Sequence, residues 1–181
     1  QNDGFGKSGK DGVAAALARH KLKPVAEGSV ERNSLQVEAA VAQIAKGDPQ
    51  AVIMVTLYKP TAEFIRQMRK AGQMPQFATL SPIGADLLVG EMGAKDAHGV
   101  GISQVMPYPW NDTVPVVREY HKALQAFAKH TRYSYYGLEG FLNAKLMAEA
   151  LRKLGRDATR EKLVNVLETT PFDLGGYKIN Y

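Results

Sequence analysis

Apolar residues in the first hundred positions alternate between helical and strand-like spacing. Helices are predicted at residues 6–21, 34–47, 60–72 and 85–92. Strands are predicted at residues 24–30, 51–57, 76–80 and 99–105. The 51–57 stretch is apolar on both faces, as is typical of a strand inside a parallel sheet. The pattern therefore predicts βαβ units and an α/β fold, Rossmann-like, with three αβα layers.

Two polar or turn-forming residues are expected to set helix starts in this region. Ser34 is predicted to cap the second helix, and Pro60 is predicted to open the third. The glycine-rich stretch at residues 4–9 opens the first helix, and such a turn normally follows a strand. We therefore expect a strand to be missing before Gln1 and the chain to be an interior piece of a longer protein.

The alternation of strand and helix signals stops after residue 105. Pro107 and Pro109 lie too close together for a helix or a central strand, because proline lacks a backbone donor. This stretch is interpreted as a connection. Helices are then predicted at residues 115–130, 136–154 and 159–171, and the tail at 176–181 alternates like the start of a strand.

Composition narrows the functional classes. The 181 residues are 45% hydrophobic and carry a net charge of +5, with no cysteine. Disulfides, thiolate metal sites and cysteine nucleophiles are therefore excluded. The basic residues are scattered along the chain, which disfavours a nucleic-acid interface. No apolar run approaches the length of a membrane span, and the opening residues do not resemble a signal peptide.

The glycine-rich turn matches two nucleotide-binding strings. Residues 4–9 fit G-x-G-x-x-G, and residues 4–10 fit the stem of a P-loop. However, Asp11 stands where a P-loop needs a hydroxyl for magnesium, and only Glu27 approaches the acid of a dinucleotide site. A tight turn entering a helix is the favoured interpretation. A nucleotide-binding enzyme of Rossmann type stays as the alternative.

No chemistry-bearing cluster favours catalysis. The chain has four histidines, His20, His98, His121 and His130. Their positions do not match the spacing of metal ligands. Neither a nucleophile elbow nor a HExxH pair occurs. We therefore predict no metal, no cofactor and no enzymatic activity.

Three turns of the predicted sheet carry residues suited to holding a ligand. Phe5 lies in the first turn, Tyr58 follows the buried strand and Ser81 follows the next strand. In a parallel sheet these turns lie along the carboxyl edge, where open α/β folds bind ligands. The alternative is that Phe5 and Tyr58 merely cover the sheet edge, and the pattern alone leaves both interpretations open.

The order of several short strings carries a resemblance over nearly the whole chain. They are QNDGFGKSG (1–9), YKP (58–60), RKAG (69–72), PQF (75–77), SQVMPYP (103–109), YGLEGF (136–141), ALRKLG (150–155) and FDLGGY (172–177). In this order and spacing the chain resembles the leucine/isoleucine/valine-binding proteins, the solute receptors with the type I periplasmic binding fold.

That resemblance implies two α/β lobes joined by crossings, with the N-terminal part absent. Residues 1–105 would form most of the C-terminal lobe. Residues 106–114 would be a hinge crossing, with Met106 and Pro107 as hinge residues. Residues 115–181 would supply helices and the start of a strand to the N-terminal lobe.

The resemblance also implies a ligand site. Phe5 and Tyr58 match aromatics that face the solute, and Tyr136 matches an aromatic that walls the cleft from the other lobe. Ser81 falls where amino-acid-binding members carry an acid for the ligand's ammonium group. A buried ammonium without a carboxylate partner is costly, so another ligand, such as a small carboxylate, is equally expected. Asp86 or Glu91 could replace the acid.

The implied function is solute binding for an ABC transporter. The protein would be periplasmic and would hold a small solute between two lobes, either an amino acid, branched-chain or other, or a small carboxylate. The closed form would dock on an ABC permease in the inner membrane, with no bond made or broken and no nucleic acid involved. Surface left uncovered by the absent strands could drive self-association. An effector-sensing domain of a regulator remains a further alternative.

Overall fold

A parallel three-stranded sheet organises Gln1–Gln104, the first of two units in the computed structural model. The structure describes residues 1–128 and 132–180. The elements of the first unit are α1 (Gly4–Arg19), α2 (Glu38–Lys46), β1 (Ala51–Met54), α3 (Tyr58–Lys70), β2 (Gln76–Leu80), α4 (Ala85–Met92), α5 (Ala94–Ala97) and β3 (Gly101–Ser103). A 3-10 turn at Ser81–Ile83 joins β2 to α4.

The strands lie in the order β1-β2-β3, and both pairings are parallel. Met54 pairs with Thr79, and Leu80 pairs with Ser103. Because parallel neighbours need a crossover, α3 returns the chain from β1 to β2, and α4 with α5 returns it from β2 to β3. The carboxyl ends of all three strands therefore lie at one edge of the sheet.

Helices cover the sheet on two sides. Val52 and Met54 are buried with apolar residues of α2 and α3 in the first core cluster, whereas Ile53 is half exposed. Side chains alternate along a strand, so Val55 points to the same side as Ile53. A Cβ added to Gly9 of α1 would lie 2.5 Å from Val55 Cγ2, which places α1 on that side. The first unit thus has three αβα layers.

The segment before α1 is bonded on both sides. The Gln1 amino nitrogen donates to Val55 O at 2.9 Å, and Asn2 N–H donates to Val30 O at 2.8 Å. Successive donors of an extended chain point in opposite directions, so Gln1 and Asn2 lie between residue 30 and the end of β1. This bonding places the first turn of α1 beside the turn that follows β1.

Three predicted strands are corrected. The strand predicted at residues 51–57 ends at Met54, because the chain bends at Thr56 before α3 begins at Tyr58. Residues 24–30 form no strand, because Pro24 lacks a donor, Gly28 adds no side chain to pack, and Val30 O accepts from Asn2, which belongs to no strand. Residues 99–105 are strand only at Gly101–Ser103, because Gly99 has a positive φ of 82° at one end and the partner strand β2 ends at Leu80 at the other. The predicted strand at 76–80 and the predicted helix at 85–92 are confirmed.

Two predicted helix starts are also wrong. Ser34 does not cap α2; its hydroxyl accepts from Gln36 N–H in a local turn, and α2 begins at Glu38. The third helix begins at Tyr58, two residues before Pro60. Proline fits the first turn of a helix because no donor is needed there, so Pro60 lies inside α3 rather than opening it.

The second unit, Val105–Tyr181, is mainly helical. Its elements are α6 (Pro115–Ala123), a π-helical turn (Leu124–Ala128), α7 (Tyr135–Leu154), α8 (Arg160–Thr169), β4 (Phe172–Asp173) and β5 (Lys178–Ile179). The two short strands pair antiparallel, so the tail forms a hairpin. The predicted ends at residues 130 and 181 lie outside the described residues.

The hairpin is attached to the helices by polar contacts and by a core. Val116, Leu138 and Leu174 are buried in the second core cluster. Lys145 Nζ lies 2.5 Å from Glu119 Oε2 and donates to Leu174 O at 3.0 Å. Asp173 Oδ1 accepts from two glycine N–H groups at residues 175 and 176, whose positive φ angles of 96° and 85° suit glycine.

The close approach at Gly6 gives a test of the first unit. A Cβ at Gly6 would lie 1.7 Å from Gln1 O, so Gly6→Ala must displace the bonded segment and should lower the free energy of unfolding by about 2 kcal/mol. Gly12→Ala, in the same helix with nothing within 4 Å, should instead raise it by about 0.8 kcal/mol. Urea unfolding followed by circular dichroism measures both. Equal effects of the two variants would contradict this account of the segment.

Candidate functional site

The predicted ligand residues of the first unit lie at one edge of its sheet. Phe5 is in the first turn of α1, Tyr58 is the first residue of α3, and Ser81 is the first residue after β2. Phe5 is 36% exposed, and Tyr58 is half-buried against the first core cluster. The structure thus brings these three positions to the carboxyl edge; their contact with a solute stays a prediction.

The turn after β1 holds most of the polar groups at this edge. Leu57, the residue before α3, has extended backbone and offers no side-chain cap. Its carbonyl accepts from Thr61 N–H at 3.1 Å. The hydroxyls of Thr56 and Thr61 are buried without a hydrogen-bond partner, and so is Gln1 Oε1. Sequence reasoning missed both threonines, because a Thr near a helix start is usually a structural residue.

Ser81 stands beside this turn through the strand register. Met54 pairs with Thr79, and both chains leave the ladder within two residues of this pair, Thr56 in the bend before α3 and Ser81 in the 3-10 turn after β2. Neither acid considered as a substitute is buried at the edge. Asp86 is exposed in the first turn of α4, and Glu91 Oε1 lies 4.0 Å from Arg66 Nη1.

The glycine-rich turn has its own anion. Asp3 Oδ1 accepts from Gly6 N–H at 3.0 Å, Oδ2 accepts from Gln1 Nε2 at 2.5 Å, and Arg32 lies 3.9 Å away. The Gly6 hydrogen bond, followed by the Gln1 contact, lowers the pKa of Asp3. A carboxylate therefore occupies the helix N-terminus where a nucleotide phosphate would bind, which argues against the nucleotide interpretation.

Tyr136 belongs to the second unit, in the first turn of α7. Ser134 caps this helix by accepting from Gly137 N–H at 3.0 Å. Tyr136 is 46% exposed, and partial burial followed by the nearby Glu139 charge raises the pKa of its hydroxyl. Its role as a wall of a cleft stays a prediction.

An aromatic cluster lies next to Tyr136 in sequence. The ring centroids of Tyr108 and Trp110 are 5.1 Å apart, and Tyr135 lies 6.5 Å from the first and 6.0 Å from the second. Sequence analysis treated the Trp110 stretch only as a connection. The sequence signal that could have predicted this cluster was the presence of an aromatic-rich loop together with two consecutive tyrosines at the start of a helix.

The predicted hinge residues lie at the start of the second unit. Met106 packs against the second core cluster, and Pro107 is half-buried. Tyr177 Oη donates to Val105 O at 3.1 Å, and His121 Nε2 donates to Pro109 O at 2.7 Å. These bonds tie the connection to its own unit; a hinge at Met106 and Pro107 remains a prediction.

Other kinds of site were sought across residues 1–128 and 132–180. In those ranges no group of three or more His, Asp or Glu side chains could hold a metal ion. No described helix is long and apolar enough to cross a membrane. His130 lies outside the described residues. Two open depressions lie in the first unit. One is lined by Val30, Glu31 and Ser34, next to the bonded Asn2, and the other lies around Gln67.

Comparison with known proteins decides the family. The model of the periplasmic binding protein family matches residues 1–181. This chain belongs to that family. A possible leucine/isoleucine/valine-binding protein from Rhodopirellula baltica SH 1 is 33% identical, with a TM-score of 0.91 over 99% of this chain and 50% of its own. A substrate-binding periplasmic protein from Ralstonia solanacearum is 35% identical, with a TM-score of 0.85 over 97% and 50%.

A more distant structure shares the fold. The amino acid ABC transporter substrate-binding protein from Pseudomonas fluorescens Pf-5 is 15% identical, with a TM-score of 0.73 over 99% of this chain and 47% of its own. No curated protein matches the chain. The chain spans about half the length of the solved structures that it matches. The predicted α/β fold and the resemblance to this periplasmic family are confirmed.

The capped start of α1 predicts a pH-dependent stability. Because Asp3 has a folded-state pKa below its usual 3.8, its ionised form stabilises the fold above that pH, and the stabilisation disappears as the pH falls through the lowered value. Asp3→Asn should lower the urea midpoint at neutral pH, and the difference from wild type should shrink as the pH falls below 3.8 and through the lowered pKa. Unfolding curves across this range measure the effect.

Asp11→Asn is the matched control in the same helix. Asp11 pairs with Lys7 at 2.5 Å, but both side chains are largely exposed, so its loss should change the midpoint little at any pH. A difference between Asp3→Asn and wild type that is independent of pH would contradict the assigned role of the ionised carboxylate.

Proposed function

We propose that the protein is the extracytoplasmic solute-binding component of an ABC transporter. Its solute would be a small metabolite, either an amino acid, branched-chain or other, or a small carboxylate. The observation that carries this proposal is the convergence of Phe5, Tyr58 and Ser81 on the carboxyl edge of a parallel sheet. That edge is where open α/β sheets bind ligands.

Family membership supports the same conclusion. Proteins of this family are periplasmic binding proteins, and the matched structures include a possible leucine/isoleucine/valine-binding protein and a substrate-binding periplasmic protein. We infer a periplasmic location for this protein and an ABC permease of the inner membrane as its partner. The role requires binding without chemistry, so no catalytic residue and no cofactor are assigned. Nucleic acid has no part in it.

Binding would act through conformational selection. A solute that contacts two lobes of the whole protein stabilises the closed state over the open one, and the permease recognises the closed state. Residues 106–114 are proposed as a hinge crossing, and Tyr136 is proposed to face the solute from the other lobe. From the family resemblance, we propose that residues 1–105 form most of the C-terminal lobe. Residues 115–181 are proposed to belong to the N-terminal lobe.

Tyr58 gives the direct test of solute binding. A thermal-shift screen of amino acids and small carboxylates should find compounds that raise the unfolding temperature of the protein. Tyr58→Ala should weaken the affinity for those compounds about tenfold or more, because an aromatic side chain that covers a ligand contributes a large apolar area. Titration calorimetry measures the affinities.

Met74→Ala is the control for this experiment. Met74 is 76% exposed and precedes β2, at the amino end of the strand, so its removal should leave affinity unchanged. Tyr58 packs on the core, and each variant is therefore compared with its own ligand-free unfolding temperature. Solutes that bind Tyr58→Ala as tightly as wild type would show that the pocket is misplaced.

A further inference from the structure

The turn between β1 and α3 combines two independent features that point to an anionic ligand group. The first is the start of α3, a helix of 13 residues whose preceding residue, Leu57, provides no side-chain cap. The first N–H groups of any helix lack partners within it and carry the positive end of the helix dipole. Tyr58 and Lys59 provide two such donors, whereas Pro60 at the third position has none.

The second feature is a pair of orphaned hydroxyls beside these donors. Thr61 is fully buried and Thr56 partly so, and neither Oγ1 atom has a hydrogen-bond partner. Side chains of a helix tilt towards its N-terminus, so Thr61 lies over the first turn of α3. Thr56 lies in the bend two residues before that turn. A buried hydroxyl without a partner is destabilising, which indicates that a polar group completes these bonds.

The carboxylates nearest to this edge are engaged or exposed. Asp3 is held by Gly6, Gln1 and Arg32. Glu63, one turn further along α3, lies 3.5 Å from Arg66. Asp86 is exposed at the start of α4, and Ser81 brings a hydroxyl instead of an acid. Glu31 is exposed and accepts from Asn2 Nδ2. The start of α3 therefore offers hydrogen-bond donors and the positive end of a helix dipole, with Lys59 exposed beside them, and none of these carboxylates is free to pair with an ammonium group there.

We propose that this unit binds the carboxylate of an organic acid at the N-terminus of α3. The N–H groups of Tyr58 and Lys59 and the hydroxyls of Thr56 and Thr61 are the donors. Two backbone donors and two hydroxyls match the two oxygens of a carboxylate, whose lone pairs accept about four hydrogen bonds. This inference deepens the proposed function and rests on it, since it assigns the charge of the solute group that the first unit recognises.

Matched ligands separate the carboxylate from the ammonium group. The probes are leucine, isocaproate and isoamylamine, which share one apolar side chain, and phenylalanine, phenylpropanoate and phenylethylamine, which share another. Titration calorimetry of the protein should show that at least one carboxylate that lacks the amine binds, and that its amine counterpart binds at least about tenfold more weakly.

Two isosteric variants test the donors themselves. Thr56→Val and Thr61→Val should each weaken binding of the carboxylate probe about tenfold, because a hydrogen bond to a charged group is lost. Each should also raise the unfolding temperature of the ligand-free protein, since an unpartnered buried hydroxyl is removed. Because each variant removes a different hydroxyl, one of them still tests the site if the other folds poorly.

Thr79→Val is the control for buried threonine. Thr79 is also buried, but its Oγ1 donates to Met54 O at 3.0 Å. Its replacement should lower the unfolding temperature of the ligand-free protein and leave the preference for carboxylate over amine unchanged. The two classes of variant thus differ in the sign of the stability change as well as in binding.

Three results would overturn the assignment. Amine probes could bind as well as their carboxylate counterparts, which would leave the solute-binding function standing and reject the anionic site. Carboxylate binding could be unchanged in both Thr56→Val and Thr61→Val, which would assign the orphaned hydroxyls to buried water. Finally, absence of binding by every probe, together with a failed screen of other solutes, would reject the proposed function as well.

Discussion

The arrangement of the first unit depends on the parallel strand register, which brings the carboxyl ends of its three strands to one edge of the sheet. The hydrogen bonds from Gln1 to Val55 and from Asn2 to Val30 extend that alignment to the start of α1. Because the segment is fixed on both sides, α1 begins beside α3, and Gly9 can approach Val55 closely. If this bonding were lost, Phe5 would no longer lie on the same edge as Tyr58 and Ser81.

Periodicity predicted the layers of this unit because burial acts on whole elements. Val52 and Met54 are buried as an alternating strand requires, and the helix over residues 85–92 was placed correctly. Local signals were less dependable, because tertiary bonding overrides them. Ser34 has the composition of a helix cap, yet its hydroxyl closes a shorter turn. Residues 24–30 have strand-like spacing but lack a ladder to join.

The candidate site was partly accessible from sequence for a similar reason. Residues that follow strands can be assigned to an edge once the sheet is known to be parallel, which identified Tyr58 and Ser81. Whether a polar group is already satisfied depends on its neighbours in three dimensions. Thr56 and Thr79 look alike in the sequence, but Thr79 donates to Met54 O while the Thr56 hydroxyl has no partner. Only coordinates distinguish them.

At the two helix starts of this edge, the capacity to bind an anion is the opposite of what their sequences suggest. The glycine-rich start of α1 has the form of an anion-binding motif, but Asp3 already supplies the anion, so a negatively charged ligand would be repelled there. The start of α3 matches no motif, yet its N–H groups lack a side-chain cap and buried hydroxyls adjoin them. A helix N-terminus attracts a ligand only where the chain does not cap it. The charge preference of this unit therefore follows from hydrogen-bond satisfaction at each helix start, which glycine spacing does not reveal.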